Sequence, residues 1–164
     1  MGEVKIRIAT IEDLEDVLRL NHDLFVKEYE DFDTSLDREW TYGEVGKEYF
    51  VYRITGSDGF VAVASDGESI IGYLCGGLKD RQFHVEGIYA ELENMIVSAG
   101  YRGQGIGKRL MTDFLDWCDA NAVNRVVVMA SAGNVDGIEF YRKAGFSESD
   151  TTLAMMRKPF GNPS

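Results

Sequence analysis

The segment YRGQGIGKRLM, residues 101–111, constrains the fold more than any other stretch of the chain. It sets glycines 103, 105 and 107 between an apolar stretch ending near Ser98 and an apolar repeat starting at Ile106. A strand, a glycine-rich turn and a helix in that order present unpaired backbone N–H groups and a helix dipole to an anion. Glycines let the backbone approach phosphate oxygens with no Cβ in the way. Arg102 and Lys108 add positive charge to a chain whose net charge is -11, and a turn that only packs a helix on a sheet does not need it. Two familiar phosphate motifs fail. A P-loop requires glycine where Arg102 stands and Ser or Thr where Arg109 stands, and G-x-G-x-x-G lands on Lys108 or Leu110. The loop reads as a phosphate cradle of another kind; the competing reading is a flexible, purely structural turn.

The rest of the pattern fits around that unit. Val4, Ile6 and Ile8 alternate with Lys5 and Arg7, as in a half-buried strand. Thr10 and Asp13 resemble a capping box ahead of helical spacing at Leu14, Val17, Leu18 and Phe25. Glu28 to Glu39 carries six acids and one base, and is expected to span a loop and a second helix start. GKEYFVYRI fits a helix end or a strand equally well. Two apolar runs joined at Asp66-Gly67 predict a hairpin. IYAELENMIVS predicts a strand in which Ala90, Leu92, Asn94 and Ile96 alternate with Tyr89, Glu91, Glu93, Met95 and Val97. After the glycine loop, Ile106, Leu110, Met111, Phe114, Trp117 and Cys118 form one helical face. RVVVMAS is continuous and apolar, as in a central strand covered on both faces. Asn134 is placed to cap a helix that Gly145 stops, and TTLAMMRK is expected as a last strand.

At 164 residues, 45% of them hydrophobic, the chain suits one domain, residues 1–164, with 155–164 as strand end and tail. The negative charge disfavours nucleic acid and anionic membrane and leans toward positively charged visitors. No apolar run approaches membrane-spanning length, and the N-terminus lacks a signal-peptide core and a myristoylation Ser or Thr, so a cytoplasmic protein is expected. Cys75 and Cys118 sit in apolar stretches and read as buried free thiols. His22 and His84 read as surface histidines, and no zinc spacing exists. DFDTSL begins like a calcium loop, but Leu36 and Tyr42 occupy its required glycine and glutamate. No metal is expected.

Arg102-x-x-Gly105-x-Gly107, directly after ELENMIVS, resembles the Q/R-x-x-G-x-G/A motif of the GCN5-related N-acetyltransferases, the GNAT superfamily. GNVDGIEFYRKAGF resembles that family's second segment, an Asn followed by a helix carrying Phe-Tyr-x-x-x-Gly-Phe. The motif likeness covers about residues 89–147, and residues 10–60 agree in organisation only. The resemblance implies an α/β fold, with a mixed but mostly antiparallel sheet flanked by helices. Its fourth and fifth strands, ELENMIV and RVVVMAS, would splay at a bulge and admit acetyl-CoA. Backbone groups of Arg102, Gly103, Gln104, Gly105, Ile106, Gly107 and Lys108 would bind the pyrophosphate. Those of Met95, Ile96 and Val97 would pair with pantetheine, one amide polarising the thioester carbonyl. Asn134 would hydrogen-bond the cofactor near its pantetheine end.

The resemblance also assigns chemistry. Tyr141 stands where the family often has the general acid that protonates the departing thiolate; the competing reading is a core tyrosine. The amine must lose a proton before attack, and Glu93 and Glu91 share a strand face where burial would raise their pKa toward a useful value. Glu93 is preferred, acting directly or through a water, against a solvated face or no dedicated base. The implied activity is acetyl transfer from acetyl-CoA to a small-molecule or peptide amine in a ternary complex. The acidic stretch Glu28 to Glu39, with Tyr29, Phe32 and Trp40, would suit a cationic acceptor such as a polyamine, an aminoglycoside or a lysine-bearing peptide; the competing reading is a solvated acidic face. Two alternatives stay open: a non-catalytic acyl-CoA-binding sensor or complex subunit, and a transferase of longer acyl groups. Family members are often dimers, so a homodimer is a further expectation.

Overall fold

The computed structural model describes residues 2–81 and 84–161. Five strands order as they occur in the chain: β1 (Val4–Ile8), β2 (Gly59–Asp66), β3 (Ser69–Lys79), β4 (Tyr89–Val97) and β5 (Arg125–Val128). The first four pair antiparallel, and β5 pairs parallel with β4. The helices are α1 (Leu14–Asp31), α2 (Glu44–Thr55), α3 (Ile106–Ala120) and α4 (Val135–Lys143). This is the mixed, mostly antiparallel α/β sheet that the resemblance implies.

Two buried clusters show how the helices cover the sheet. Phe60, Ala62 and Ala64 of β2 and Leu92 of β4 pack with Leu110 and Phe114 of α3. Val61 and Val63 face the other way and pack with Val17 and Leu18 of α1 and Phe50 of α2. β2 and β3 are therefore buried on both faces. The predicted stripe of α3 points inward as expected, with Trp117 packed at its margin. Asp66-Gly67 does turn a hairpin, Gly67 taking a positive φ of 61°. The ambiguous run GKEYFVYRI is helical and belongs to α2. Arg7 and Thr10 hold Asp13 at the start of α1, so the capping residue is also half of an ion pair.

Several expectations are corrected. Glu28 to Asp31 form the last turn of α1, and the acidic stretch continues through loop and a short 3-10 turn at Trp40–Tyr42 before α2 begins. RVVVMAS yields only the four-residue β5, half-buried at the edge of the sheet and not a central strand. TTLAMMRK is not a strand: residues 151–158 are exposed, with Leu153 at 90% and Met155 at 79% of full exposure. A strand needs a hydrogen-bonding neighbour, and among the described residues this segment has none.

The strand β4 carries the feature that builds the site. Its register with β3 shifts between Cys75↔Asn94 and Gly76↔Leu92, so Glu93 is the extra residue of a β-bulge. The expected strict alternation fails there. Ala90 and Leu92 face the α3 side, and so do Met95 and Val97, while Glu93, Asn94 and Ile96 face α1 and α2. β5 pairs with β4 only from Tyr89 to Leu92. From Glu93 onward β4 keeps β3 on one side and, among the described residues, no strand on the other, so the two strands part at the bulge, as the resemblance implies.

Candidate active site

The opened edge of β4 leads in one direction to the glycine loop. Gly103 and Gly105 adopt positive φ values of 75° and 79°, and a Cβ added at either would meet nothing within 4 Å. Their left-handed backbone turns the chain into α3, which starts at Ile106 with no side-chain cap on its first N–H groups. Among the described residues, no protein group accepts a hydrogen bond from the N–H of Gly103 through Lys108. Arg102 contributes differently from expectation in its side chain: its Nε donates to the carbonyl of Val97 at 2.7 Å and ties the loop to the end of β4. Lys108 stays exposed. The loop therefore offers an anion a row of free donors at a helix N-terminus, open to solvent.

In the other direction the edge leads into a cavity of about 350 Å³ between α1, β4, β5 and α4. Glu91, Glu93, Asn94, Met95, Asn134 and Tyr141 line it, which brings the predicted strand ELENMIVS together with the second motif. Asn134 caps α4 as expected, its side chain accepting from the N–H of Gly137 at 3.0 Å. Tyr141, one face inward on α4, packs edge-on against Phe140 and Phe146. Burial, with the negative charge of Glu28, pushes its phenol up to about 12. The raised value keeps it neutral, and among the described residues nothing hydrogen-bonds its hydroxyl.

Glu93 behaves otherwise than expected. Arg53 of α2 donates to it twice, Nε to Oε2 at 2.8 Å and Nη2 to Oε1 at 2.6 Å. The Tyr49 hydroxyl donates to Oε2 as well, and Lys79 Nζ pairs with Oε1. Burial alone would raise the Glu93 carboxyl, but the bonds from Arg53, Lys79 and Tyr49 outweigh it and hold the group below its ordinary value. A carboxylate so neutralised is a poor proton acceptor. Glu91 does share the face and the lysine, lying 3.7 Å from Lys79 Nζ. Room for Arg53 comes from Gly77, where a Cβ would stand 2.4 Å from the guanidinium.

A directed hydrogen-bond chain supports the bulge from behind. Thr41 Oγ1 donates to Asn21, Asn21 Nδ2 to Tyr73, Tyr73 to Asn94 Oδ1, and Asn94 Nδ2 to Tyr49, which donates to Glu93. Every donor points toward the carboxylate, so the chain fixes the Asn94 side chain at the splay point. Sequence reasoning missed Tyr49, Arg53 and Lys79. Their i, i+4 spacing on α2 was visible for the first two, but only once that run is known to be helical.

The remaining candidates lie apart. His22 is partly exposed and 3.4 Å from Glu39, and His84 lies against the ring of Tyr89. Cys75 and Cys118 are buried free thiols, raised by burial to about 12 and about 11. No group of three His, Cys, Asp or Glu side chains among the described residues is arranged to hold a metal, and no helix there is long and apolar enough to cross a membrane.

Comparison with known proteins matches this arrangement. The model of the Acetyltransferase (GNAT) family matches residues 14–146. An uncharacterized N-acetyltransferase of Methanocaldococcus jannaschii is 24% identical over 157 residues, covering 93% of this chain; the chain spans 64% of that relative's length. Among solved structures, a mutant of the BH1408 protein from Bacillus halodurans superposes with a TM-score of 0.80 at 20% identity, over 93% of this chain and 98% of the other. AAC(6')-Iy in complex with the bisubstrate analog CoA-S-monomethyl-acetylneamine gives 0.74 at 14% identity, over 96% of this chain and 100% of the other. An aminoglycoside acetyltransferase from an uncultured soil metagenomic sample, in complex with sisomicin, gives 0.68 at 19% identity, over 95% and 96%. At these identities the superpositions speak for the fold.

Proposed function

Because the chain belongs to the acetyltransferase (GNAT) family, we propose that it is an N-acetyltransferase that moves acetyl from acetyl-CoA to a primary amine by direct attack in a ternary complex. The observation that carries this reading is that one strand, β4, links the glycine loop to the cavity. Free N–H donors at Gly103 to Lys108 lie past the C-terminal end of β4, its edge is unpaired from Glu93, and Glu91 to Met95 of the same strand line the cavity with Tyr141. The residues fit the cosubstrate: the loop suits a pyrophosphate, Met95 to Val97 suit the amide groups of a pantetheine arm, and Asn134 stands beside the cavity.

When bound, acetyl-CoA supplies an activated thioester carbon. The chain's own groups supply orientation and proton handling. Backbone N–H groups on the free edge of β4 polarise the carbonyl, where a fixed donor in a dry site contributes most. Tyr141 holds its proton throughout the neutral range. A free thiol ionises near 8.5, so full transfer from a phenol raised to about 12 runs uphill. Tyr141 therefore acts first by hydrogen bonding to the developing sulfur anion. It completes the transfer as the nitrogen sheds its surplus proton after the C–N bond forms. Glu93 orders the bulge through Arg53 and Tyr49, and its ion pairs argue against the base role first assigned to it.

The test is a calorimetric titration with acetyl-CoA followed by a thiol-release assay over polyamines, aminoglycosides, arylalkylamines and lysine peptides. Amine-dependent release of CoA is expected. Tight binding with no release on any acceptor would favour a sensor, and absence of binding would end the reading of the glycine loop.

A further inference from the structure

Three carboxylates line the cavity: Glu28, Glu91 and Glu93. Glu93 is held by Arg53, Lys79 and Tyr49, and Glu91 lies beside Lys79. Glu28 differs. Among the described residues its carboxylate makes no hydrogen bond and no ion pair; Lys27, its neighbour in sequence, is engaged with Asp31. It enters the cavity from the last turn of α1, one helical turn after Leu24 and beside Phe25. Phe25 and Trp40 stack with ring centroids 5.5 Å apart at 18°, and Trp40 in turn leans on Tyr49. Met95 and Met129 close the opposite wall. An unpaired anion, half withdrawn from water and set among aromatic and thioether groups, is costly unless a cation visits it.

We infer that Glu28 receives the ammonium group of the acceptor and takes its proton, and that the acceptor is a small primary amine whose apolar or aromatic body lies against Phe25 and Trp40. This rests on the reading of the protein as an N-acetyltransferase. The cavity supports the size: about 350 Å³ falls at the small end of the range of small-molecule sites, about 300–1,000 Å³. It supports the charge as well, because Glu28 is the one lining carboxylate that neither Arg53 nor Lys79 holds, and one free carboxylate matches one ammonium.

The proton balance closes. The ammonium gives one proton to Glu28, which opens to solvent and releases it there. The neutral nitrogen forms a bond to the acetyl carbon as the carbon–sulfur bond breaks. The departing sulfur takes the Tyr141 proton, and the second proton shed by nitrogen refills Tyr141. The groups whose charges face Glu28 are Asp33 and Lys27 near its own helix end, Tyr73 of β3 and Tyr141 of α4. Burial and Asp33 lift the Glu28 carboxyl above its ordinary value, in the direction a proton acceptor needs.

The experiment uses 2-phenylethylamine, its uncharged counterpart 2-phenylethanol, and spermidine as probes. Binding to the full chain without acetyl-CoA is measured by calorimetry, so the readout does not depend on turnover. Glu28→Gln is expected to weaken 2-phenylethylamine about tenfold or more, as loss of a charge-assisted contact does. It should leave 2-phenylethanol and acetyl-CoA affinities unchanged. In steady state the same variant should lose kcat at neutral pH and recover part of it at higher pH, where free amine is commoner. Equal losses for the amine and the alcohol, or none for either, would overturn the role of Glu28. Tighter wild-type binding of spermidine than of 2-phenylethylamine would overturn the substrate class. If amine binding depends on Glu28 but no acetyl transfer occurs with any acceptor, the ammonium site stands and the transferase reading falls. If transfer occurs and Glu28→Gln changes nothing, the reverse holds.

Discussion

Arg53 grips Glu93 with both arms of its guanidinium, Nε to Oε2 at 2.8 Å and Nη2 to Oε1 at 2.6 Å, with only 7% and 9% of the two side chains exposed. The contact joins α2 to the extra residue of the β4 bulge. It fixes the point at which β4 and β5 part, and so the mouth of the cavity. Removing one partner of a buried pair costs about 3–5 kcal/mol when the other charge is left uncompensated; Lys79 and Tyr49 still hold Glu93, so loss of Arg53 falls at the lower end. Arg53→Met is thus expected to lower Tm by about 10 °C, given about 2–4 °C per kcal/mol for a chain of this size. Scanning calorimetry checks this; an unchanged Tm would show that the pair does not hold the bulge.

The same pair sets an acid dependence. The Glu93 carboxyl is depressed in the folded chain from an ordinary value of 4.5. Its contribution to stability is therefore present above that value and is lost as pH falls from there through the depressed folded value. In Glu93→Gln the stability measured by urea titration should fall less steeply over that acid window than in wild type.

Glu28 has the opposite sign. Burial raises its carboxyl above 4.5, so its contribution is favourable below the unfolded value and is lost as pH rises through the folded one. At neutral pH the ionised group costs stability. Glu28→Gln should unfold at a higher temperature than wild type at pH 7, an advantage that vanishes on acidification below about pH 4. A destabilised variant at pH 7 would contradict the raised carboxyl.

Gly105 offers a clean probe of the anion cradle. Its φ of 79° strains any side chain, but a Cβ there meets no atom of the protein within 4 Å. Gly105→Ala should therefore fold, losing about 1–2 kcal/mol for its left-handed backbone. Acetyl-CoA affinity should fall further than stability does, because the methyl group occupies the approach of the phosphate. Parallel calorimetric titration and thermal unfolding separate the two effects, and retained affinity would place the phosphate elsewhere.

Much of the site was legible in residues 89–147. The glycine loop, the α3 stripe and the Asn134 cap are local patterns, each decided within a few residues by backbone chemistry. The bulge was not legible, because a strand reads as strict alternation until its partner is known, and the shift appears only where Gly76 meets Leu92. The true environment of Glu93 was hidden for the same reason. Arg53 lies 40 residues away, in a run whose Tyr, Phe, Val and Ile suit strand and helix alike. Glu28 stood unmarked in an acidic stretch until the fold set it in the cavity beside Glu91 and Glu93, which Lys79 and Arg53 already engage. The expected last strand failed because a pattern of apolar residues does not name its neighbour.

Transfer of radiolabelled acetyl from acetyl-CoA to an amine, followed in wild type and in Tyr141→Phe, tests the central claim most directly. Wild type is expected to transfer acetyl only when an amine is present. Tyr141→Phe is expected to lose kcat about a hundredfold, with acetyl-CoA affinity unchanged. Labelled amide formed equally fast by both proteins would remove Tyr141 from the chemistry. No labelled amide from wild type with any acceptor, despite bound acetyl-CoA, would contradict the account of the cavity as a site of acetyl transfer.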